Sequence, residues 1–103
     1  MNPEKNRSAT LRIDGAMNIY RAAELKETLL AALPSSGPLE VDLSGVTELD
    51  SAGLQLLMLT KIAAQAQACE LRLVAPSPAV LDVFDLLNLA AYFGDQLVIP
   101  ARA

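Results

Sequence analysis

Between Leu39 and Leu54 the chain changes its hydrophobic period, and that change constrains the fold more than any other feature. Leu39, Val41 and Leu43 alternate with Glu40 and Asp42, the period-two pattern of a strand. From about Ala52 to Ala68 the apolar residues instead cover most sides of a helix: Leu54, Leu56, Leu57, Met58, Leu59, Ile62, Ala63, Ala64 and Ala66. Gln55, Lys61, Gln65 and Gln67 are left for water, and the alanines permit close packing on a sheet. Ser44-Gly45 and Thr47-Glu48 are expected to turn the chain between the two elements. A strand feeding a well-buried helix is the first half of a β-α-β unit. It sets the hydroxyl of Ser51 at the helix entrance, directly after Asp50 and two residues before Gly53. Backbone N–H groups without intrahelical partners can there receive a side-chain oxygen or a phosphate.

The same alternation of periods runs along the rest of the chain. Residues 1–8 read as a leader, 9–100 as one domain and 101–103 as a short tail. Leu11 and Ile13 share a strand face in the segment Ser8 to Ile13; Asp14-Gly15 reads as a turn, with Ala16-Met17 returning as an antiparallel edge hairpin. A helix follows, with Asn18, Tyr20 or Arg21 as tolerable starts and a stripe of Ala22, Leu25, Leu29, Ala32 and Leu33. Pro34 and Pro38 end it. After the buried helix come a strand through Leu71, Leu73 and Ala75 and a helix capped by Ser77 with Pro78 in its first turn. A further helical turn over 89–93 and a strand at Leu97-Val98-Ile99 complete the order. Such an order, with right-handed crossovers, predicts an α/β domain whose central strands are parallel. Glu40 and Asp42 leave one face of the middle strand partly open, because a strand buried on both sides carries few acids.

Composition removes several function classes. Eight basic residues stand against twelve acidic ones, a net charge of −4, and no basic block is present to neutralise a nucleic-acid backbone. The same balance speaks against adsorption to an anionic membrane, and no apolar run is long enough for membrane insertion, so the cytoplasm is the default location. With no histidine and a lone Cys69, a zinc site is not expected. The glycines are isolated, so no phosphate-binding loop for ATP or NAD is seen and no cofactor is expected. Asp50 beside Ser51 is no hydrolytic pair, since neither histidine nor a suitably spaced lysine completes it.

With Asp50-Ser51-Ala52-Gly53-Leu54 placed between a strand and a long helix, the chain resembles a STAS domain, the family of anti-sigma factor antagonists. The resemblance covers residues 9–99 and extends to Gly15 through Leu33, Val41 through Val46, and Ser77-Pro78-Ala79-Val80 running into Phe84 through Leu89. It implies a mixed four- or five-stranded sheet with helices mainly on one face. It also implies a non-enzymatic interaction domain in which Ser51 is the phosphoacceptor of a serine kinase that is itself the anti-sigma factor. In that scheme the unmodified form binds the kinase and the phosphorylated form releases it. Another branch of the family serves as a small cytoplasmic subunit on the ATPase of phospholipid-trafficking ABC transporters, where the residue matched by Ser51 would be a contact. Ala52 departs from the sigma-regulator pattern, in which a second serine is common there, and the segment from Gly15 to Leu25 is closer to chemosensory and transporter relatives.

Each candidate carries a plain structural reading beside its functional one. Ser51 and Asp50 both suit a helix cap, worth roughly 0.5–2 kcal/mol; Asp50 alternatively orients the hydroxyl or a kinase-bound metal. A phosphate on Ser51 would add about −1.5 to −2 charge, weakening docking without unfolding the domain. Gly53 allows a close turn or keeps the surface flat for a partner, and Leu54 belongs to the core. Asp14, Asn18, Tyr20 and Arg21 are expected near Ser51 at one end of the sheet, as partner-binding groups with Asp50, Ser51, Ala52 and Gly53. Ser77 reads as a cap, Cys69 as a small core or boundary residue, and Phe84, Tyr92 and Phe93 as core fillers.

Overall fold

Four strands in the order β1-β2-β3-β4, every neighbouring pair parallel, form the sheet of the computed structural model, which describes residues 9–88 and 97–98. The elements alternate: β1 (Ala9–Met17), α1 (Ala22–Ala32), β2 (Leu39–Leu49), α2 (Ser51–Ala66), β3 (Leu71–Val74), α3 (Pro78–Leu87) and β4 (Leu97–Val98). Strands laid down in sequence order with crossovers of one hand put their helices on one face of the sheet. That face is apolar: Ile13 and Met17 of β1, Leu39, Val41 and Leu43 of β2, and Leu71 and Leu73 of β3 are buried in one cluster. Leu25 and Leu29 of α1, Leu54, Leu56 and Leu57 of α2, and Val80 and Phe84 of α3 close it from above.

The opposite face is an ion-pair surface. Arg12 donates to Asp14 Oδ1 at 2.8 Å and lies 3.8 Å from Asp42. Arg72 reaches Glu70 at 3.1 Å and Glu40 at 3.8 Å. The acids that alternate with the apolar residues of β2 therefore meet cations on both neighbouring strands, which accounts for their place in a central strand.

Two expectations are corrected here. Asp14-Gly15 is not a hairpin turn and Ala16-Met17 is not an antiparallel return: β1 runs unbroken to Met17, parallel to β2. Likewise Ser44-Gly45 and Thr47-Glu48 do not end β2, which continues to Leu49. The cause is a pair of register shifts, between Arg12 and Asp14 and between Gly15 and Ala16, each giving β2 one more residue than β1. Buried residues on β2 thus fall at Leu39, Val41 and Leu43, then at Val46 and Leu49. The period stretches from two to three at each bulge, so Val46 and Leu49 leave the alternation that marks a strand. Gly15 takes the left-handed conformation (φ 85°) beside the second shift, a geometry that glycine adopts without a Cβ penalty. The expected leader and tail, the helical turn over 89–93 with Tyr92 and Phe93, and Ile99 lie outside the described residues.

Candidate functional site

Parallel strands bring the carboxyl ends of β1, β2 and β3 and the amino ends of the helices that follow them to one edge of the molecule. At that edge Ser51 is the first residue of α2 and is exposed, immediately after the last core residue of β2, Leu49. Asp50 is the N-cap. Its Oδ1 accepts the Gly53 N–H at 3.0 Å, and its carbonyl accepts the Leu54 N–H at 2.9 Å. The remaining donors of the first turn, on Ser51 and Ala52, have no intrahelical acceptor.

The carboxylate of Asp50 does a second thing that the sequence did not disclose. Its Oδ2 accepts the Ile19 N–H at 3.2 Å, and the Asp50 N–H donates to Met17 O at 3.2 Å. The start of α2 is thereby tied to the end of β1 and to the loop beyond it. Gly53 completes the junction: a Cβ there would run into the Met17 carbonyl and lie 2.8 Å from Met17 Cβ. The missing side chain of this buried glycine makes room for the backbone of β1, a close approach that neither sequence reading of Gly53 had named.

Loop 18–21 is built by its own polar groups. Asn18 Oδ1 accepts the N–H groups of Tyr20 at 3.1 Å and Arg21 at 3.2 Å, an Asx-type turn preceding α1. Arg21 folds back, donating from Nη1 to Asp14 O at 2.7 Å and Ala16 O at 2.8 Å, and so bridges the carbonyls on either side of Gly15. Its other nitrogen lies 3.6 Å from Glu24. With the backbone so held, Ile19 is 63% exposed and Tyr20 91% exposed.

The structure thus gathers Asn18, Tyr20, Arg21, Asp50 and Ser51 at one edge, with Ala52 partly exposed and Gly53 beneath it. Asp14 joins this group through its carbonyl, while its side chain pairs with Arg12 on the open sheet face. Ile19 is the residue that sequence reasoning missed. Its signal was an apolar side chain belonging neither to the β1 alternation nor to the α1 stripe. Ser77 is buried and caps α3, accepting the Val80 N–H at 3.3 Å. Among the described residues no cluster of three or more His, Cys, Asp or Glu is arranged to hold a metal, and no helix is long and apolar enough to cross a membrane.

Together these features describe a parallel α/β domain with its helices on one face of the sheet and an exposed hydroxyl at the start of the second helix. The profile of the family described as "Mlab, STAS domain" matches residues 1–99, and the chain belongs to the STAS domain family. Among solved structures, the unphosphorylated form of the anti-sigma factor antagonist SpoIIAA superposes with a TM-score of 0.71 at 16% identity, over 98% of this chain and 86% of that one. A sulfate transporter family protein from Wolinella succinogenes gives the same TM-score and identity, over 87% of this chain and 75% of that one. At such identity these two likenesses establish the fold that the three chains share. No curated protein sequence matches this chain.

Proposed function

We propose that this domain is a non-enzymatic, phosphorylation-switched binding module whose docking surface centres on Ser51. A cognate serine kinase, acting also as anti-sigma factor or as the equivalent component of a chemosensory or stress circuit, is its partner in the cytoplasm. The observation that carries this reading is the exposed Ser51 at the first position of α2, flanked by a carboxylate already committed to two backbone donors. Asp50 so held is a scaffold for the hydroxyl and not a base that would activate it. The kinase transfers the γ-phosphoryl group of ATP to Ser51 Oγ; the hydroxyl proton goes to the kinase's own base and ADP leaves. The added charge, about −1.5 to −2, falls on the docking surface and expels the partner while the core beneath is untouched. Asn18, Tyr20, Arg21 and Ala52 supply the surrounding contact surface, with Asp14 at its margin.

The likeness to SpoIIAA supports this reading through shared architecture. The test is incubation with the cognate kinase and ATP, followed by intact-mass and binding measurements. One phosphoryl group is expected on the wild type and none on Ser51→Ala, with kinase affinity falling at least about tenfold on modification. Equal modification of Ser51→Ala would refute the site.

A second reading is favoured by the Mlab description of the family and by the likeness to a transporter family protein. In it the domain docks on the ATPase of a phospholipid-trafficking ABC transporter, with Ser51 as an unmodified contact. Affinity capture from cytoplasmic and membrane fractions separates the two. An ATPase with its permease supports the transporter subunit, and a histidine-kinase-like protein supports the switch.

A further inference from the structure

We propose that Asp50 is a positioning residue that couples the chemical state of Ser51 to loop 18–21, so that modification changes the presentation of Ile19 and Tyr20 as well as the local charge. The inference rests on the reading of Ser51 as phosphoacceptor and adds to it a route from the hydroxyl to a recognition loop. The geometry is a carboxylate with one oxygen on each side of a junction: Oδ1 on the Gly53 N–H of α2, Oδ2 on the Ile19 N–H of the loop. The two attachments are unequal. Gly53 is further held by its packing on Met17 and by the helix it begins, whereas Ile19 and Tyr20 are exposed and the Ile19 amide has this side-chain acceptor.

A phosphoryl group on the next residue competes for the same ground. It places about two negative charges beside the Asp50 carboxylate, within reach of the free first-turn donors of α2. Repulsion drives the carboxylate away, and the weaker attachment, at Ile19, gives first. Loop 18–21 keeps its Asn18 turn and its Arg21 clasp but loses its tie to α2. The partner would then meet a new charge at Ser51 and a displaced apolar pair at Ile19-Tyr20 in one event.

The test uses the full chain in solution, read by backbone amide NMR, and needs no partner. Asp50→Ser retains a hydroxyl that caps Gly53 but is too short to reach Ile19. Asp50→Asn is the second variant: its single amide oxygen can serve one of the two N–H groups and not both. In either variant the Ile19 amide is expected to shift and to exchange about tenfold faster, the loss of one hydrogen bond to a charged acceptor, while the amides of α2 beyond Leu54 change less than about twofold. Protein carrying phosphoserine at position 51, installed during synthesis, is expected to show the same Ile19 signature with Asp50 intact. An Ile19 amide unchanged in the phosphorylated chain, or unchanged in both variants, overturns the coupling. If the coupling is seen but no kinase modifies Ser51, the proposed function fails and the structural link stands. Loss of the partner on phosphorylation without any change at Ile19 gives the converse.

Discussion

At the scale of single residues, Gly53 and Cys69 show how local chemistry is set by what the chain folds against. Gly53 sits in α2, where alanine would raise helix propensity by about 1 kcal/mol. Yet its Cα faces the backbone of Met17, which cannot swing aside as a side chain would. Gly53→Ala is therefore expected to destabilise the domain by about 1–3 kcal/mol, read as a lowered urea midpoint at unchanged slope. An unchanged or raised midpoint would show that the β1–α2 junction yields. Cys69 is buried, and its thiol lies 3.1 Å from the carbonyl oxygen of Gly37. Burial pushes its pKa up, only partly opposed by the backbone N–H of Leu39. The reactive species is the thiolate. Alkylation at neutral pH is thus expected to be slow in the folded protein and to accelerate sharply in denaturant; equal rates in both states would contradict the burial.

The elements are held by their ends. α3 begins at Ser77, whose side chain takes the Val80 N–H while its own N–H donates to Leu43 O at 3.2 Å. Cap and strand contact thus lie in one buried residue, with Pro78 following at the first turn. Ser77→Ala keeps the backbone bond to β2 but leaves the Val80 donor unsatisfied. A loss of about 1–2 kcal/mol is expected in thermal or urea unfolding, and a loss well under about 0.5 kcal/mol would mean that water replaces the cap. The loop before α1 is organised differently: Arg21 carries no cap and instead clasps the carbonyls around Gly15. That difference leaves the loop's outward side chains, Ile19 and Tyr20, free of structural duty. At the α2 entrance the duties of capping and presentation are split between neighbours, Asp50 bonding inward and Ser51 facing out.

For the whole molecule, the division into an apolar and a charged sheet face predicts its response to acid. Asp42 is held below its ordinary range first by the Ser44 N–H, at 2.8 Å, then by the Ser44 side chain and by the positive charge of Arg12. A carboxyl whose folded pKa is depressed adds stability above its unfolded value, near 3.8, and loses it as the pH falls through the lower folded value. Wild-type stability is accordingly expected to decline through the acid range more steeply than that of Asp42→Asn. The two unfolding curves converge at the lowest pH, because the difference between them is the charge on Asp42. Parallel curves across that range would place the acid sensitivity elsewhere. Because Asp42 is partly exposed and its pairing with Arg12 is at the surface, the effect is modest and shrinks with added salt.

How much of this was written in the sequence depends on the range of the interaction involved. The alternation over 39–43, the all-round apolar helix after Ala52 and the Ser77-Pro78 start are local patterns, and each became the expected element with Ser51 at its helix entrance. The β-α-β order then left few arrangements open. Strand continuity through Gly15 and from Ser44 to Leu49 was not legible, because a bulge is a mismatch between two strands and neither strand alone records it. The same holds for the junction around Ser51. That Asp50 caps a helix is a three-residue relation visible in the chain, whereas its bond to Ile19 spans 31 positions and exists only because parallel pairing brings the ends of β1 and β2 together. Periodicity reports which side of an element is apolar; which backbone donor a free carboxylate oxygen finds is decided by packing.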